Sequence, residues 1–352
     1  MDKKKSLGAA LGASLIASVI VGITPRIDDS SAAYTSQAHI SASNYGVGLQ
    51  QVSAALYVRA LAIPPQMRGK TIKLIAGGST IALAVDSNNV IYPWASDNLY
   101  GQLNVPSSLS GQSIQSVAAG AWHALALTSA GKVVAWGSNA VAQATVPAAL
   151  APLTVRQIAA GYNKSLALTS TGRVYSWGEY EVDPSNASSV RKPAVNLSET
   201  YQGKVKLIDT GIFYDIAVTT SNQIVRWNAY RSEILPSAGE IVGVAAVRHN
   251  TVAITSDGRV LGWGPSRAAL TIPAFVQAKT IVSINAETPF GSSPIVLALD
   301  AEGSILAWNT DTGANMTAQL TPLDSEEKRF TAAQVVGGGT GNEGSIAIQS
   351  EG

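Results

Sequence analysis

Residues with the chemistry for catalysis or metal binding are few and widely separated in this chain. Its 352 residues include no cysteine, which excludes thiolate chemistry and disulfides, and three distant histidines, His39, His123 and His249. Asp209 and Asp215 are close enough in sequence to be a carboxylate pair, but glycoside hydrolysis needs two carboxylates at a set separation. No convincing phosphate loop, dinucleotide fingerprint or nucleophile elbow occurs. The sequence therefore predicts a protein that is not an enzyme, with no cofactor and no metal.

Composition and charge favour a folded, nearly neutral protein. Hydrophobic residues make up 46% of the chain and charged residues 13%, whereas an average globular domain has about 25% charged residues. A solvated disordered chain is therefore excluded. The 24 basic and 23 acidic residues give a net charge of +1, which argues against binding of nucleic acid through a broad basic surface.

Residues 1–33 have the pattern of a signal peptide or a membrane anchor. A cationic start precedes residues 6–24, which carry no charge, and the small residues at 31–33 resemble a cleavage site. A stretch of this length is also nearly enough to span a bilayer as a hydrophobic helix. A cleaved signal, an uncleaved anchor and a processed filament-type leader are all compatible with this pattern. Each would place the rest of the chain outside the cytoplasm, after a polar linker at residues 34–45.

Most tryptophans of the chain mark an internal repeat. The repeating residues are Trp94, Trp136, Trp177, Trp227, Trp263 and Trp308. Five residues before each Trp stands Asn or Gly, which readily adopt the left-handed backbone of a hairpin turn: Asn89, Gly131, Gly172, Asn222, Gly258 and Gly303. The positions eleven, nine and three before each Trp are aliphatic, the alternation of strands with one buried face. Each copy is therefore predicted to be a β-hairpin between a short inner strand and an outer strand that ends in proline.

Tandem four-stranded units of this kind bury their faces by radial stacking. The predicted fold is an all-β, seven-bladed β-propeller over residues 46–352, preceded by the N-terminal hydrophobic helix. Residues 345–352 match the first half of a hairpin, and residues 49–65 can supply the other half, with Val52 three places before the Trp position. The N- and C-terminal strands are thus expected to close one blade. An open solenoid, the alternative, would leave the C-terminal hairpin half made.

The second and third copies resemble the regulator of chromosome condensation (RCC1) repeat. The likeness rests on an Ala-Ala-Gly segment followed by Trp122-His123-Ala124-Leu125-Ala126-Leu127 and Gly131-Lys132-Val133-Val134-Ala135-Trp136-Gly137. The short unit and its Trp-Gly…Gln…Val-Pro tail are most similar to bacterial secreted members, of the β-lactamase inhibitor protein II type. The resemblance implies a rigid disc that binds another protein through loops on one face. It would assign partner contacts to Trp122, Tyr162 and Phe213.

Aromatic residues are concentrated on one predicted face of the propeller. In an up-and-down blade, the loop after the inner strand and the loop after the Trp strand emerge on the same face. These loops carry eight of the aromatic residues: Trp122, Tyr162, Phe213, Tyr214, Phe290, Tyr100, Tyr180 and Tyr230. The hairpin turns of the opposite face carry none. Large rigid rings dominate binding hot spots, so these eight residues form the predicted partner-binding surface.

The predicted function is that of an exported, non-enzymatic protein-binding β-propeller, secreted or held in the cell envelope. Its expected partner is another protein, with no nucleic acid and with membrane contact only through residues 6–24 if they are retained. Three alternatives stay open: a β-lactamase-inhibitor-like protein, a structural subunit of a cell-surface, membrane or filament assembly, and a carbohydrate-binding or enzymatic propeller. The insertion at residues 179–203 is either a further recognition loop or a disordered bulge.

Overall fold

Strands dominate the part of the chain that the computed structural model describes. That part comprises residues 37–38, 52–53, 55–57 and 66, residues 70–181 without 71 and 96, residues 190–287, residues 294–317 without 303, and residues 330–338 and 342–349. The predicted helix 6–24 and Phe290 lie outside the described residues. Within them, no helix is long and apolar enough to cross a membrane.

The strands are short and follow one another closely along the chain. In order, they are β1 (Gln37–Ala38), β2 (Val52–Ser53), β3 (Ala55–Tyr57), β4 (Ile72–Gly77), β5 (Ile81–Asp86), β6 (Ile91–Ala95), β7 (Ile114–Ala119), β8 (His123–Thr128), β9 (Val133–Gly137), β10 (Val155–Ala160), β11 (Lys164–Thr169), β12 (Val174–Tyr180), β13 (Lys192–Pro193), β14 (Val205–Thr210), β15 (Asp215–Thr219), β16 (Ile224–Trp227), β17 (Ser232–Leu235), β18 (Ile241–Val247), β19 (Asn250–Thr255), β20 (Val260–Trp263), β21 (Ile281–Glu287), β22 (Ile295–Asp300), β23 (Ile305–Asn309), β24 (Phe330–Gly338) and β25 (Asn342–Gln349). The helix α1 (Ala274–Gln277) and 3₁₀ turns at Ser107–Leu109, Ala148–Leu150 and Pro265–Arg267 lie between sheets.

Consecutive strands pair antiparallel into small separate sheets. The sheets are β4-β5-β6, β7-β8-β9, β10-β11-β12-β13, β14-β15-β16-β17, β18-β19-β20, β21-β22-β23 and β24-β25-β3, with a further two-stranded sheet β1-β2. The all-β prediction is confirmed. Because β1 and β2 add a sheet to the seven larger ones, and β1 lies inside the predicted linker, the count of seven blades stays a prediction.

The hairpin prediction is confirmed at the turn residues and at the buried face. The five described turn residues have φ between 63° and 83°: Asn89, Gly131, Gly172, Asn222 and Gly258. The aliphatic residues eleven and nine positions before each Trp are at most 4% exposed. Burial of one such side chain stabilises the fold by about 1.5–3 kcal/mol. The repeat therefore supplies both the turn and the core of each sheet.

The first strand of each sheet contacts the first strand of the next, and the contacts run in a closed cycle. The order is β4, β7, β10, β14, β18, β21, β24 and again β4. The predicted pairing of the two ends also occurs, because Leu56 of β3 lies opposite Ile346 of β25. The predicted place of Val52 is wrong, since Val52 pairs with Ala38 and the closing strand begins three residues later.

Proline-ended outer strands were expected in each sheet, but four strands occur only in the β10–β13 and β14–β17 sheets among those described. Pro106 and Pro147 instead precede 3₁₀ turns, and Pro273 precedes α1. Proline has no N–H to donate to a ladder. The two 3₁₀ turns and α1 bury Leu109, Leu150 and Val276 in the core. In these sheets a buried apolar side chain thus takes the place of an outer edge strand.

Neighbouring sheets are joined by the repeated tryptophans and by glycines at the inner strand ends. The indole Nε1 of Trp136 donates to Gln102 O at 2.9 Å, and that of Trp177 donates to Gln143 O at 2.9 Å, each across a sheet boundary. A Cβ at Gly161 would lie 2.6 Å from Gly211 O, so this approach requires glycine. These contacts hold the loops of adjacent sheets in register on one face.

Candidate functional site

Three rings from three consecutive sheets, one exposed and two partly exposed, form a continuous row, here called the aromatic row: Tyr100, Trp122 and Tyr162. The ring centroids of Tyr100 and Trp122 are 5.8 Å apart, with an interplanar angle of 54°. Those of Trp122 and Tyr162 are 5.1 Å apart in an edge-to-face arrangement at 73°. Both distances lie in the range where aromatic pairs attract. The structure thus brings together three of the eight predicted binding residues.

The loops under the aromatic row are held by backbone hydrogen bonds. Ala121 N donates to Tyr162 O at 3.1 Å, and Ser138 N donates to Trp122 O at 2.8 Å. Tyr100 N donates to Gln102 Oε1 at 3.0 Å. Because the loops are tied to one another across sheets, the rings are presented with little backbone freedom left to lose on binding.

Leu99 extends the aromatic row and was not predicted from sequence. Its side chain is 80% exposed, next to the 49% exposed Tyr100. An aliphatic side chain at a loop tip carries no chemistry of its own, so only its exposure in the structure singles it out.

A buried acid and an arginine flank Tyr162 at one end of the row. Asn163 Nδ2 donates to Glu181 Oε1 at 2.6 Å, and Arg191 Nη2 lies 3.0 Å from the same oxygen. Burial raises the pKa of Tyr162, and the nearby Glu181 charge adds to that rise while Arg191 opposes it. The phenol is therefore neutral around pH 7 and can donate a hydrogen bond to a partner.

Tyr230 is exposed but has a partner within the chain. Its hydroxyl donates to Val190 O at 2.6 Å and accepts from Val190 N at 2.9 Å. Val190 is the first described residue after 182–189 in the long insertion. Tyr230 therefore holds the chain at Val190, in the second half of the insertion, while 46% of its own surface stays exposed.

Three predicted binding residues are buried, which corrects the predicted surface. Phe213 is 5% exposed and stacks on His249 with centroids 4.6 Å apart, and Tyr214 is 5% exposed beneath the Arg226 guanidinium. Tyr180 is 2% exposed. Rings with so little free area contribute packing in this conformation. Phe290, the eighth predicted residue, lies outside the described residues.

Tyr180 belongs to a buried polar network that the sequence did not reveal. Lys164 Nζ lies 2.8 Å from Asp215 Oδ1, with both side chains fully buried. Asp215 also accepts from Tyr180 Oη at 2.6 Å and from Thr210 Oγ1 at 2.6 Å. Burial lowers the pKa of Lys164, and the Asp215 carboxylate opposes that shift. Asp215 therefore joins side chains of the β10–β13 sheet to its own sheet through a buried ion pair and two hydrogen bonds.

A cavity of about 190 Å³ lies on the axis of the ring of first strands. Its walls are mostly alanine, glycine and the aliphatic residues of these strands, and Tyr162 and Arg248 line it where the strands end in loops. Asp209 lines the wall of the same cavity. Tyr162 therefore belongs both to the aromatic row and to the cavity.

The histidines do not build a metal site in the described part of the chain. His123 is fully buried, and its Nε2 lies 2.9 Å from Ser165 Oγ. Burial lowers the pKa of His123 to about 4. Among the described residues, no group of three or more His, Cys, Asp or Glu side chains is placed to hold a metal ion.

The repeat family matches two parts of the chain. The model of the regulator of chromosome condensation (RCC1) repeat matches residues 114–143 and 155–179, which hold β7–β9 and β10–β12. Among curated protein sequences, none matches this chain significantly. The sequence relationship thus rests on the second and third repeats, the two that carry Trp122 and Tyr162.

Several solved structures share the fold at low sequence identity. Human WBSCR16 has a TM-score of 0.60 and 15% identity over 86% of this chain and 90% of that one. Prp20p from Saccharomyces cerevisiae has a TM-score of 0.58 and 18% identity over 80% and 83%. The CRINKLY WD40 ectodomain of the Arabidopsis thaliana receptor kinase ACR4 has a TM-score of 0.52 and 15% identity over 78% and 94%. With the repeat match, these likenesses show that the chain is an RCC1-like β-propeller.

Proposed function

We propose that this propeller is a protein-binding module that uses the aromatic row as the centre of its interface. The observation that carries the proposal is the contact of Tyr100, Trp122 and Tyr162, which joins exposed and partly exposed rings of three sheets on one face. The similar Prp20p binds Gsp1p and histones, so the fold can support protein binding. In this reading the protein is a binder and not an enzyme.

The geometry suits a protein partner with an apolar segment. Tyr and Trp bury large area at low entropic cost, and preformed rings need little rearrangement on binding. Exposed Leu99 lengthens the apolar surface beyond Tyr100, and the Glu181–Arg191 pair provides a polar rim next to Tyr162. An apolar centre with a polar rim is the usual arrangement of a protein interface.

The proposed location is outside the cytoplasm. Residues 1–33 support this location through their cationic start and uncharged stretch. The ACR4 ectodomain shows that a similar fold forms an ectodomain in another protein. On the sequence resemblance to bacterial secreted members, a secreted or periplasmic β-lactamase is one concrete partner class.

Site-specific crosslinking tests the proposed interface. A photoreactive phenylalanine analogue would replace Tyr100 in the full chain and, as the matched control, Ala130 in an exposed hairpin turn of the opposite face. Crosslinking of a discrete protein through position 100 and not through position 130 is expected. The identified protein, once purified, should bind the Trp122→Ala variant at least about tenfold more weakly. Equal crosslinking at both positions, or unchanged affinity of that variant, would reject the proposal.

A further inference from the structure

Asp209 departs from the repeat at a position that lines the axial cavity. Asp209 lies opposite Ile216, the residue eleven places before its Trp. The residues paired in the same way in the other six sheets are Ala76, Ala118, Ala159, Ala245, Asn285 and Gln334. Four of these six are alanine and two are uncharged amides, so the fold does not require a charged side chain here. Asp209 is the one carboxylate at this position among the described sheets.

The Asp209 carboxylate has backbone partners but no counter-ion within the described structure. Its Oδ2 accepts from Ala246 N at 2.7 Å, on the neighbouring first strand. The nearby ammonium of Lys164 is already held by Asp215 and by Tyr214 O at 3.1 Å. Arg248 lines the same cavity without an ion pair to Asp209. Asp209 is only partly exposed, so its charge has lost part of its hydration, and that loss is costly unless the carboxylate is protonated or a ligand supplies the opposite charge.

The size and walls of the cavity indicate the class of ligand. An engineered cavity of about 150 Å³ holds benzene, so the 190 Å³ here admits a ligand of about six heavy atoms. The walls combine aliphatic side chains such as Val244 and Ile284, which can contact a short alkyl chain, with polar side chains and backbone groups, which can accept from an ammonium. Asp209 is the one carboxylate among the lining residues, and within the described part of the chain no group of three or more His, Cys, Asp or Glu side chains is placed to hold a metal ion.

We propose that the axial cavity binds a small primary alkylammonium group, with the Asp209 carboxylate as its counter-ion. The alkyl chain lies against the aliphatic walls, and the ammonium donates to Asp209 Oδ1 and to neighbouring polar groups. Tyr162 and Arg248 stand where the first strands end, so the ligand enters from the face that bears the aromatic row. The source of the ammonium is either a free amine or a lysine side chain of a bound protein.

Binding should strengthen as the pH rises through neutrality. Burial raises the pKa of Asp209 to about 7, with the nearby Asp215 charge raising it further and Lys164 and the Ala246 and Thr210 N–H groups opposing that rise. The charged carboxylate is the form that pairs with an ammonium. Between pH 5.5 and 8.5 the charged fraction grows about 30-fold, so affinity for an alkylammonium should grow by a similar factor.

Calorimetric titration with n-butylammonium chloride tests the site without any protein partner. The full chain should bind it saturably at a ratio of one within roughly 50 mM, and it should bind n-butanol or butyrate at least about tenfold more weakly. Asp209→Ala, which restores the residue of four other sheets, should lose the binding while retaining the thermal unfolding transition. Asp257→Asn, an exposed carboxylate on the opposite face, should leave it unchanged. Equal binding of butanol, retained binding in Asp209→Ala, or no saturable binding would overturn the proposal.

Two further titrations distinguish a free amine from a lysine of a partner protein, and the cavity site from the aromatic interface. Acetyl-Gly-Lys-Gly-amide that binds as well as n-butylammonium, with the same loss in Asp209→Ala, supports a lysine of a partner protein. Exclusion of the peptide with retained butylammonium binding supports a free amine. Trp122→Ala should keep butylammonium binding, so failure of the aromatic interface and failure of the cavity site are seen in different measurements.

Discussion

Trp122 and Phe213 occupy the same place in their repeats, fourteen residues before Trp136 and Trp227, yet Trp122 is partly exposed and Phe213 is buried. Trp122 meets Tyr162 edge to face and leaves area for a partner. Phe213 is covered by the stacked ring of His249 from the next sheet. The comparison teaches that the loop of the following sheet decides whether an aromatic residue is surface or core.

The largest loss in the free energy of unfolding is expected when the buried Lys164–Asp215 network is broken, because this network, like Phe213, is covered by neighbouring sheets. Lys164→Ala leaves the fully buried Asp215 without its cation, and breaking such a pair costs about 3–5 kcal/mol in the free energy of unfolding. Urea unfolding of the variant at pH 7 measures this loss. The double variant K164A/D215A should recover part of it, and a loss below about 1 kcal/mol in K164A would show that the pair is not structural.

Phe213→Ala should destabilise the protein by about 3 kcal/mol, because it removes a buried ring and leaves a cavity beneath His249. Thermal and urea unfolding measure the change. If the variant unfolded like the wild type and instead failed to bind the partner, Phe213 would be a binding residue and not a packing residue.

Acid should destabilise the second repeat through His123. Its pKa of about 4 in the fold lies below the ordinary 6.5, so the unfolded chain binds the extra proton more readily. The stabilisation is fully present above pH 6.5 and is lost progressively as the pH falls to 4, by about 3 kcal/mol. Urea unfolding across this range, in the wild type and in a variant without His123, should reveal the loss as the difference between the two proteins.

His123→Ile is the matched variant for that measurement, because Ile81 and Ile295 hold the corresponding position in two other sheets. Its stability should fall less between pH 6.5 and 4 than that of the wild type. Asp209 titrates in the opposite sense and is present in both proteins, so the difference between them isolates His123. Parallel pH profiles of the two proteins would exclude a role for His123.

The smallest change in the free energy of unfolding is expected for Trp122, the more exposed of the two compared residues. Trp122→Ala should lower the free energy of unfolding by less than Phe213→Ala does, because part of its ring faces solvent, while weakening partner binding at least about tenfold. Paired measurement of unfolding and affinity in this variant checks both statements. A loss of stability as large as that of Phe213→Ala would place Trp122 with the packing residues.

Local chemistry made the hairpins predictable, because a left-handed turn residue and alternating aliphatics leave little choice of structure. Asn222 and Leu125 are where the repeat requires them, and each fills its role within one sheet. Exposure of the loop aromatics could not be predicted, since the covering group, such as His249 over Phe213, comes from a different repeat. The Lys164–Asp215 pair was missed for the same reason.

The expected proline-ended outer strands show a further limit of the repeat pattern. A proline rules out a central strand at its position, because it has no N–H for the ladder, but it is compatible with both an edge strand and a 3₁₀ turn. Here Leu109 and Leu150 fill the space between sheets, and that packing selects the turn. The choice depends on the shape of the gap, which the sequence of one repeat does not contain.

The pairing of β3 with β25 has a consequence for biosynthesis. Residue 56 is made almost three hundred residues before its partner Ile346, so the ring cannot be sealed until that whole length of chain has been made. Until then, β3 presents an open edge that can pair with strands of other chains. Chaperone protection of this edge during synthesis would therefore matter more for this molecule than for one whose sheets are each completed locally.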